Sequence, residues 1–587
     1  MIYAIIFISI IYSIARLFLQ APVFSFNHFY GFLPGPLYDE RIYFLNSLLI
    51  YRGLTILISI LILILILSKK QKRALKIIIP SSIIFLILLF SFIFSDKLGY
   101  TRSKHSLIKN LGGHIETKHF NIYYDKEISE KTIKKHALFH EFRYHQITSD
   151  LALKPKQKFT SFIYANAKKK KLTIGAARTF IGDFYNKEMH LNLISPLHPI
   201  IKHEMTHIIS SEFGNQYFGG SFNIGLIEGI AVYEEKKDYF ISLDKQVKAI
   251  INKGFKPDIK SLFSLTKFWS ARASHAYILS GSFTGFLINN YGKDRFKRLY
   301  KGASIEEVYH KTLDDIIKDY DRFISKIQIT KKQQNFLDHK LSRKSMFEKT
   351  CPHTVAKLYE ASEEMLECKN YNEALSELKN ISNINPNEYR SSFLSSITYA
   401  KLDLLKNAHN SLFLIDKSSL SFGEKLKRKE MLADLDAKMN NCDSAISSYN
   451  DLMKIDYLPN FSNRIALKEH LAKKDCQLFT KYLNQNNNQT LINNFKNEET
   501  ITLICKTSPD DSFDETYLNA CKISHKTHPT NPEINYYLGL NLFNKENYKE
   551  ASIYLTYANN NLKNNYLKMK CNEMLEFTDW ILNRVHK

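Results

Sequence analysis

The chain has 587 residues, 44% hydrophobic and 24% charged, which is the composition of a folded chain and excludes a wholly disordered one. Twenty glycines and 14 prolines are few for this length and exclude a collagen-like or linker-dominated protein. Lysine and arginine outnumber acids by 81 to 58, a formal charge of +23. No nucleic-acid-binding motif accompanies that charge, and Lys, Asn and Ile are abundant throughout, so the excess is compositional and no nucleic-acid partner is expected. The run Lys168 to Lys171 reads as a solvated turn.

Three apolar stretches open the chain, at about 2–19, 44–68 (interrupted by Arg52) and 77–95. A membrane span needs about 20 apolar residues, so residues 1–95 read as a three-helix membrane anchor. The first stretch lacks a basic start, carries Arg16 near its far end and is followed by no small-residue cleavage site, which favours a retained anchor over a signal peptide. Lys69, Lys70, Lys72, Arg73 and Lys76 form a basic loop, whereas the preceding loop holds only Arg41 beside Asp39 and Glu40. That asymmetry puts the basic loop in the cytoplasm and everything after Ser95 outside it, although Lys97, Arg102, Lys104 and Lys109 lie on the outer side. The expected location is a bacterial cytoplasmic membrane with the soluble part facing out. The loop Pro-Gly-Pro-Leu-Tyr-Asp-Glu at 34–40 suggests no mechanism.

Residues 96–117 read as a polar stalk. Alternating, β-branched and aromatic residues predict strands at 119–124, 159–164 and 188–194, with a helix over 128–151 between the first two. The breaker Ser195-Pro196 follows the third strand. A helix is predicted over 199–213, with Pro199 in its first turn and Gly214 as its stop, and another over 226–237. Two or three more helices reach about residue 345. Strands first and helices afterwards make an α+β domain over 118–345. The strand at 188–194 is expected to form a cleft edge with which an extended peptide pairs through its backbone.

Inside the helix at 199–213 stands His203-Glu204-Met205-Thr206-His207, an H-E-x-x-H pattern. The i, i+4 spacing puts both imidazoles on one helix face, one turn apart, as two ligands of one metal require. Neutral imidazole suits zinc, and Glu204 is placed to act as general base on a water without being a ligand. A tetrahedral catalytic site wants a third protein ligand, and Glu228 is the candidate, on the next predicted helix beside Gly229 and Ala231, which permit close packing. Three other histidine pairs compete less well. His140 and His145 are one residue too far apart and diverge on a helix. His136 and His140 are correctly spaced but lack acid-bearing context, and His190 and His198 line or flank a strand.

These motifs taken together resemble the gluzincin metallopeptidases of the peptidase MA-like group: a strand-rich start, H-E-x-x-H, then E-G-x-A on a second helix. The resemblance covers about residues 119–302. It implies a zincin-like α+β fold, a Zn2+ cofactor, His203, His207 and Glu228 as its ligands, and Glu204 as the base. Ile227 stands where relatives of the aminopeptidase type carry Asn, and no G-x-M-E-N element precedes the zinc helix, which points to an endopeptidase. Tyr277, in the matching stretch 277–292, either donates a hydrogen bond to a developing oxyanion or packs behind the site, and His275 competes for the same role.

From 351 onward the pattern is helical, divided here into 351–460 and 461–587. Ala408 follows Ala374 by 34 residues, each with Leu four positions later, and Ala551 with Leu555 repeats the pattern. A 34-residue period with a small residue at a helix crossing resembles tetratricopeptide (TPR) repeats, the alternative being a generic helical bundle. The stretch 460–520 fits the pattern poorly. All seven cysteines lie between Cys351 and Cys571, none in a C-x-x-C, and either bridges or buried thiols fit them. The whole reads as a membrane-anchored zinc metallopeptidase acting on extracytoplasmic protein or peptide substrates, with TPR-like repeats recruiting a protein partner. Its rival is a non-catalytic cell-envelope scaffold retaining a peptidase fold.

Overall fold

The computed structural model describes residues 25–27, 31–33, 46–68, 74–100, 102–235, 240–264, 267–268, 271–342, 349–386, 388–485 and 497–585. The apolar stretch at 2–19, the loop at 34–40 and the basic residues at 69–73 lie outside them. The chain divides into two compact units, residues 1–222 with 297–303, and residues 223–296 with 304–587.

The first unit opens with a short antiparallel hairpin, β1 (Ser25–Asn27) with β2 (Gly31–Leu33). Two apolar helices follow, α1 (Asn46–Ser68) and α2 (Ala74–Ile93, with Pro80 inside it). Among the described residues one helix, Asn46–Leu67, is long and apolar enough to cross a membrane, and Ile78–Ile93 is a shorter apolar segment. Both expose large apolar side chains, among them Leu49, Ile56, Phe85 and Phe90. After the turn α3 (Ser95–Leu98), Tyr100 packs edge-on against Tyr51 with ring centroids 5.3 Å apart. The Asp96 carboxylate accepts from the Ser103 amide at 2.9 Å, and Ser103 caps α4 (Lys104–Leu111).

The stretch read as a stalk, 96–117, is therefore folded. Leu107 and Leu111, one turn apart on α4, bury against Phe162 and Tyr164, and the chain then enters β3 (Gly112–Glu116). The polar residues of this stretch occupy the outer face, and their number hides a two-leucine stripe.

β3 is one edge of a five-stranded sheet whose other strands are β4 (Phe120–Asp125), β5 (Phe159–Tyr164), β6 (Ile181–Asp183) and β7 (Glu188–Asn192), in the order β3-β4-β5-β7-β6. β4, β5 and β7 run parallel, while β3 and β6 are antiparallel to their neighbours. Between strands lie α5 (Glu130–Asp150, capped by Ser129) and α6 (Ala167–Ile174). β7 leads into α7 (Pro199–Ser210), which ends in the tight turn Ser211–Phe213. The expected cleft edge at 188–194 is corrected here: β7 is paired on both sides, and the edge is Ile181–Asp183. Three residues with a central glycine carry no alternation, so nothing in the sequence marks them as a strand.

The second unit begins with α8 (Ile224–Glu234), α9 (Leu243–Asn252) and α10 (Ala273–Tyr291). Further helices are α11 (Lys293–Lys301, whose last turn belongs to the first unit), α12 (Ile305–Tyr309), α13 (Leu313–Ser325) and α14 (Lys331–Leu341), more than the two or three expected. Glycines let α8 and α10 approach closely. A Cβ on Gly229 would stand 2.2 Å from Thr284 Oγ1 and 2.8 Å from the Ser280 carbonyl oxygen, and one on Gly281 would stand 2.4 Å from Val232 Cγ1.

Thereafter helices come in packed pairs: α15 (Pro352–Glu367) with α16 (Tyr371–Ile384), α17 (Tyr389–Lys401) with α18 (Leu405–Phe413), and α19 (Phe422–Lys438) with α20 (Cys442–Met453). Three more pairs follow: α21 (Pro459–Lys474) with α22 (Cys476–Gln485), α23 (Glu498–Lys506) with α24 (Glu515–Thr527), and α25 (Pro532–Asn544) with α26 (Tyr548–Asn561). α27 (Asn565–Val585) packs on the last. Pairing continues through residue 460, so the two stretches on either side form one run. In four pairs a left-handed residue (Lys369, Asp403, Asn440, Glu546) stands two positions before the second helix. The fourth residue of each such helix (Ala374, Ala408, Ala445, Ala551) and the residue one turn on (Leu378, Leu412, Tyr449, Leu555) are fully buried. The alanine leaves room for its partner helix, and the larger residue fills the next layer. This region is a TPR-like helical repeat array.

Candidate metal centre

α7 begins where Pro199 takes the first turn, with no amide to leave unpaired, and the His198 ring accepts from the Ile200 amide at 3.2 Å. Ile201, Met205, Ile208 and Ile209 are fully buried and anchor the helix in the first unit. His203, Glu204 and His207 are buried as well. Burying three ionisable side chains on one helix is expensive unless each has a task or a partner. The two imidazoles stand 4.8 Å apart between centroids, with planes at 83°. Two buried imidazoles one turn apart on a helix are a donor pair that suits zinc.

A residue the sequence reading missed shapes the surroundings of Glu204. β6 crosses α7 so closely that a Cβ on Gly182 would lie 2.5 Å from the Glu204 carbonyl oxygen, 2.9 Å from His207 Cβ and 3.1 Å from Glu204 Oε2. Only hydrogen fits there. The edge strand thus runs directly past the motif's acid, and among the described residues β6 has a strand neighbour on one side alone. The one available signal is a lone glycine between Ile181 and Asp183, which is weak.

Glu228 lies on α8, where Gly229 beside it allows the packing on α10 described above. Tyr277 is half-buried on α10, its ring 5.9 Å from that of Phe268. His275 is engaged elsewhere: its Nε2 lies 3.1 Å from the Leu341 carbonyl oxygen and its ring packs edge-on against Phe255.

The other histidines have structural places. His140 Nδ1 is 2.8 Å from the His136 carbonyl oxygen and its Nε2 is 3.1 Å from Ser161 Oγ. Burial pushes His140 down to about 4, and burial together with the neighbouring His140 pushes His136 down to about 3. His145 is exposed while His140 is in the core, the divergence their spacing requires. His190 is stacked on Phe162 at 4.8 Å, with the Tyr164 hydroxyl 3.0 Å from its Nδ1.

No family model matches this chain, and no curated protein matches it. Among solved structures, a crystal structure of the TPR domain of P58(IPK) is similar at 14% identity, over 62% of this chain and 94% of that one, with a TM-score of 0.19. At that score the likeness carries no argument, and the repeat architecture stands on the chain's own helix pairs and buried alanines.

Proposed function

We propose that the chain is a membrane-anchored, zinc-dependent metallopeptidase, an endopeptidase acting on protein substrates outside the cytoplasm, whose TPR-like array recruits a protein partner. The observation that carries this reading is the pair of buried imidazoles, His203 and His207, one turn apart on α7 with Glu204 beside the first, and Glu228 is the third ligand of the reading. Zinc held there would polarise a scissile carbonyl and lower the pKa of a water. The Glu204 carboxylate takes the proton from the attacking water and hands it to the leaving amine. An extended substrate strand pairs with the outer edge of β6, where Gly182 keeps the path beside Glu204 clear. Tyr277 donates to the developing oxyanion. The apolar Asn46–Leu67 helix and the basic loop that follows it support membrane attachment with the domain facing out.

A second reading, a non-catalytic envelope scaffold, is favoured by the extent of the helical array and by the apolar side chains it exposes, among them Phe413, Leu414 and Ile553. One experiment separates the two. The full chain and its Glu204→Gln variant, both loaded with zinc, are incubated with denatured protein substrates and the products read by mass spectrometry. Cleavage by the wild type and not by the variant supports the peptidase. Bound zinc with no cleavage of any substrate supports the scaffold.

A further inference from the structure

We propose that the array is fastened by two structural disulfides, Cys442–Cys476 and Cys505–Cys521, and therefore matures in an oxidising compartment, which places everything after α2 on the non-cytoplasmic side. The placement rests on the membrane reading above; the pairing does not.

The four cysteines are selected by position. Cys442 and Cys476 are the first residues of α20 and α22, the second helices of successive pairs, 34 residues apart with Cα atoms 6.2 Å from each other. Equivalent positions of neighbouring repeats stack side by side, so one cysteine per repeat at the same place creates a bridge between repeats. Cys505 and Cys521 face each other across the fifth pair, from α23 to α24, with Cα atoms 4.7 Å apart and both residues fully buried. Both Cα separations lie in the range a disulfide spans. The remaining three stay thiols: Cys351 and Cys368 are exposed, and Cys571 is buried.

The bridges also sit where the repeat signature fails. α22 carries Phe479 and α24 carries Leu518 where the other four second helices have alanine, and no left-handed residue stands two positions before either. A cross-link that closes a loop restricts the unfolded chain, and so compensates for weaker packing. The joint between the third and fourth pairs has a second fastening on its first helices. There Arg464 and Lys468 of α21 hold Glu430 and Asp434 of α19, with Arg464 Nε and Lys468 Nζ at 2.8 and 2.7 Å from Glu430 Oε1. Each bridge forms when two thiols lose two protons and two electrons to a disulfide-bearing oxidoreductase, which is itself reduced to a dithiol. Such oxidants act in the periplasm, the endoplasmic reticulum and outside the cell, whereas cytosolic thiols are kept reduced.

The test uses the full chain in its membrane. Cells are quenched in acid, free thiols are alkylated, and peptides are mapped without reduction. The expected result is two cross-linked peptide pairs, 442 with 476 and 505 with 521, and alkylated Cys351 and Cys368. The Cys442→Ser variant loses the first pair and keeps the second. Alkylated Cys442 and Cys476 in protein whose helical content is intact would overturn the pairing. In parallel, a membrane-impermeant maleimide is added to intact cells freed of any outer barrier. Labelling of Cys351 and Cys368 supports the placement, and labelling that requires permeabilised membranes overturns it. Neither readout depends on peptide hydrolysis, so failure here is distinct from failure of the peptidase reading.

Discussion

The sheet-bearing region and the helical array follow opposite rules, and each exposes a different kind of information. In the array, buried positions are what a repeat demands: alanine at one layer, a larger residue at the next, and a left-handed residue before the second helix of four pairs. Conformity there reports structure, and any binding role lies on the exterior. Around α7 the buried positions break the rule, since His203, Glu204 and His207 occupy places that apolar side chains would fill at lower cost. On the proposed reading, that deviation is where the chemistry lies.

The largest effect should come from the motif's acid. Glu204→Gln keeps shape and volume but removes the proposed base, so on the peptidase reading hydrolysis is expected to fall by about 10²- to 10⁴-fold, with zinc content unchanged. An equal loss of zinc would assign Glu204 to binding instead.

The contrast also predicts an order of acid unfolding. His136 and His140 are held neutral by burial, at about 3 and about 4 against 6.5 when unfolded. Below pH 6.5 the unfolded chain therefore binds protons the folded one does not, and the stability of the sheet region falls until pH reaches those folded values. His140 alone accounts for about 3 kcal/mol of that loss. In the array the sign and the window differ. Burial pushes the Glu430 carboxyl up, but Arg464 and Lys468 outweigh it and hold it at about 2, so its contribution is complete above pH 4.5 and is lost only as pH falls towards 2. Peptide-resolved hydrogen exchange at pH 7 and pH 5 should show α5 and β5 losing protection while α19 and α21 keep theirs. The reverse order would refute the assignment.

Much of this was legible in the sequence, for identifiable reasons. The strand at 159–164 is legible to the residue because aromatic and β-branched residues dominate it and lysines and an alanine-asparagine pair bound it. The helix at 199–213 was found because Pro199 and Gly214 punctuate it. Two other segments were not. α4 presents only Leu107, Leu111 and the partly buried Ile108 to the core, too few to stand out among its polar residues. β6 is recognisable only through its neighbours, because what defines it is the absence of a side chain at Gly182 rather than the presence of one. The stretch 460–520 looked irregular because Phe replaces Ala at 479, yet the pairing survives.

Glycine substitutions test the close approaches in both units. Gly229→Ala and Gly182→Ala each force a methyl group against backbone oxygen, which cannot turn aside, and should cost about 1–3 kcal/mol in thermal or denaturant unfolding. Thr284→Ala should rescue Gly229→Ala only in part, because the Ser280 carbonyl remains in the way. Wild-type stability in either glycine variant would show that the helices or the edge strand sit further apart. The smallest effect belongs to the array's turns. Glu546 has φ 68°, so Glu546→Gly should be neutral or stabilising by up to about 1 kcal/mol, whereas Glu546→Val should lower the unfolding midpoint.

The central claim is that His203 and His207, one helical turn apart, and Glu228 hold one ion. Zinc content of the purified full chain, measured by elemental mass spectrometry, tests it most directly. One zinc per chain is expected in the wild type and in Glu204→Gln, with loss in both His203→Ala and Glu228→Ala. A wild-type chain that binds no zinc, or a Glu228→Ala chain that keeps it with undiminished affinity, would contradict the account.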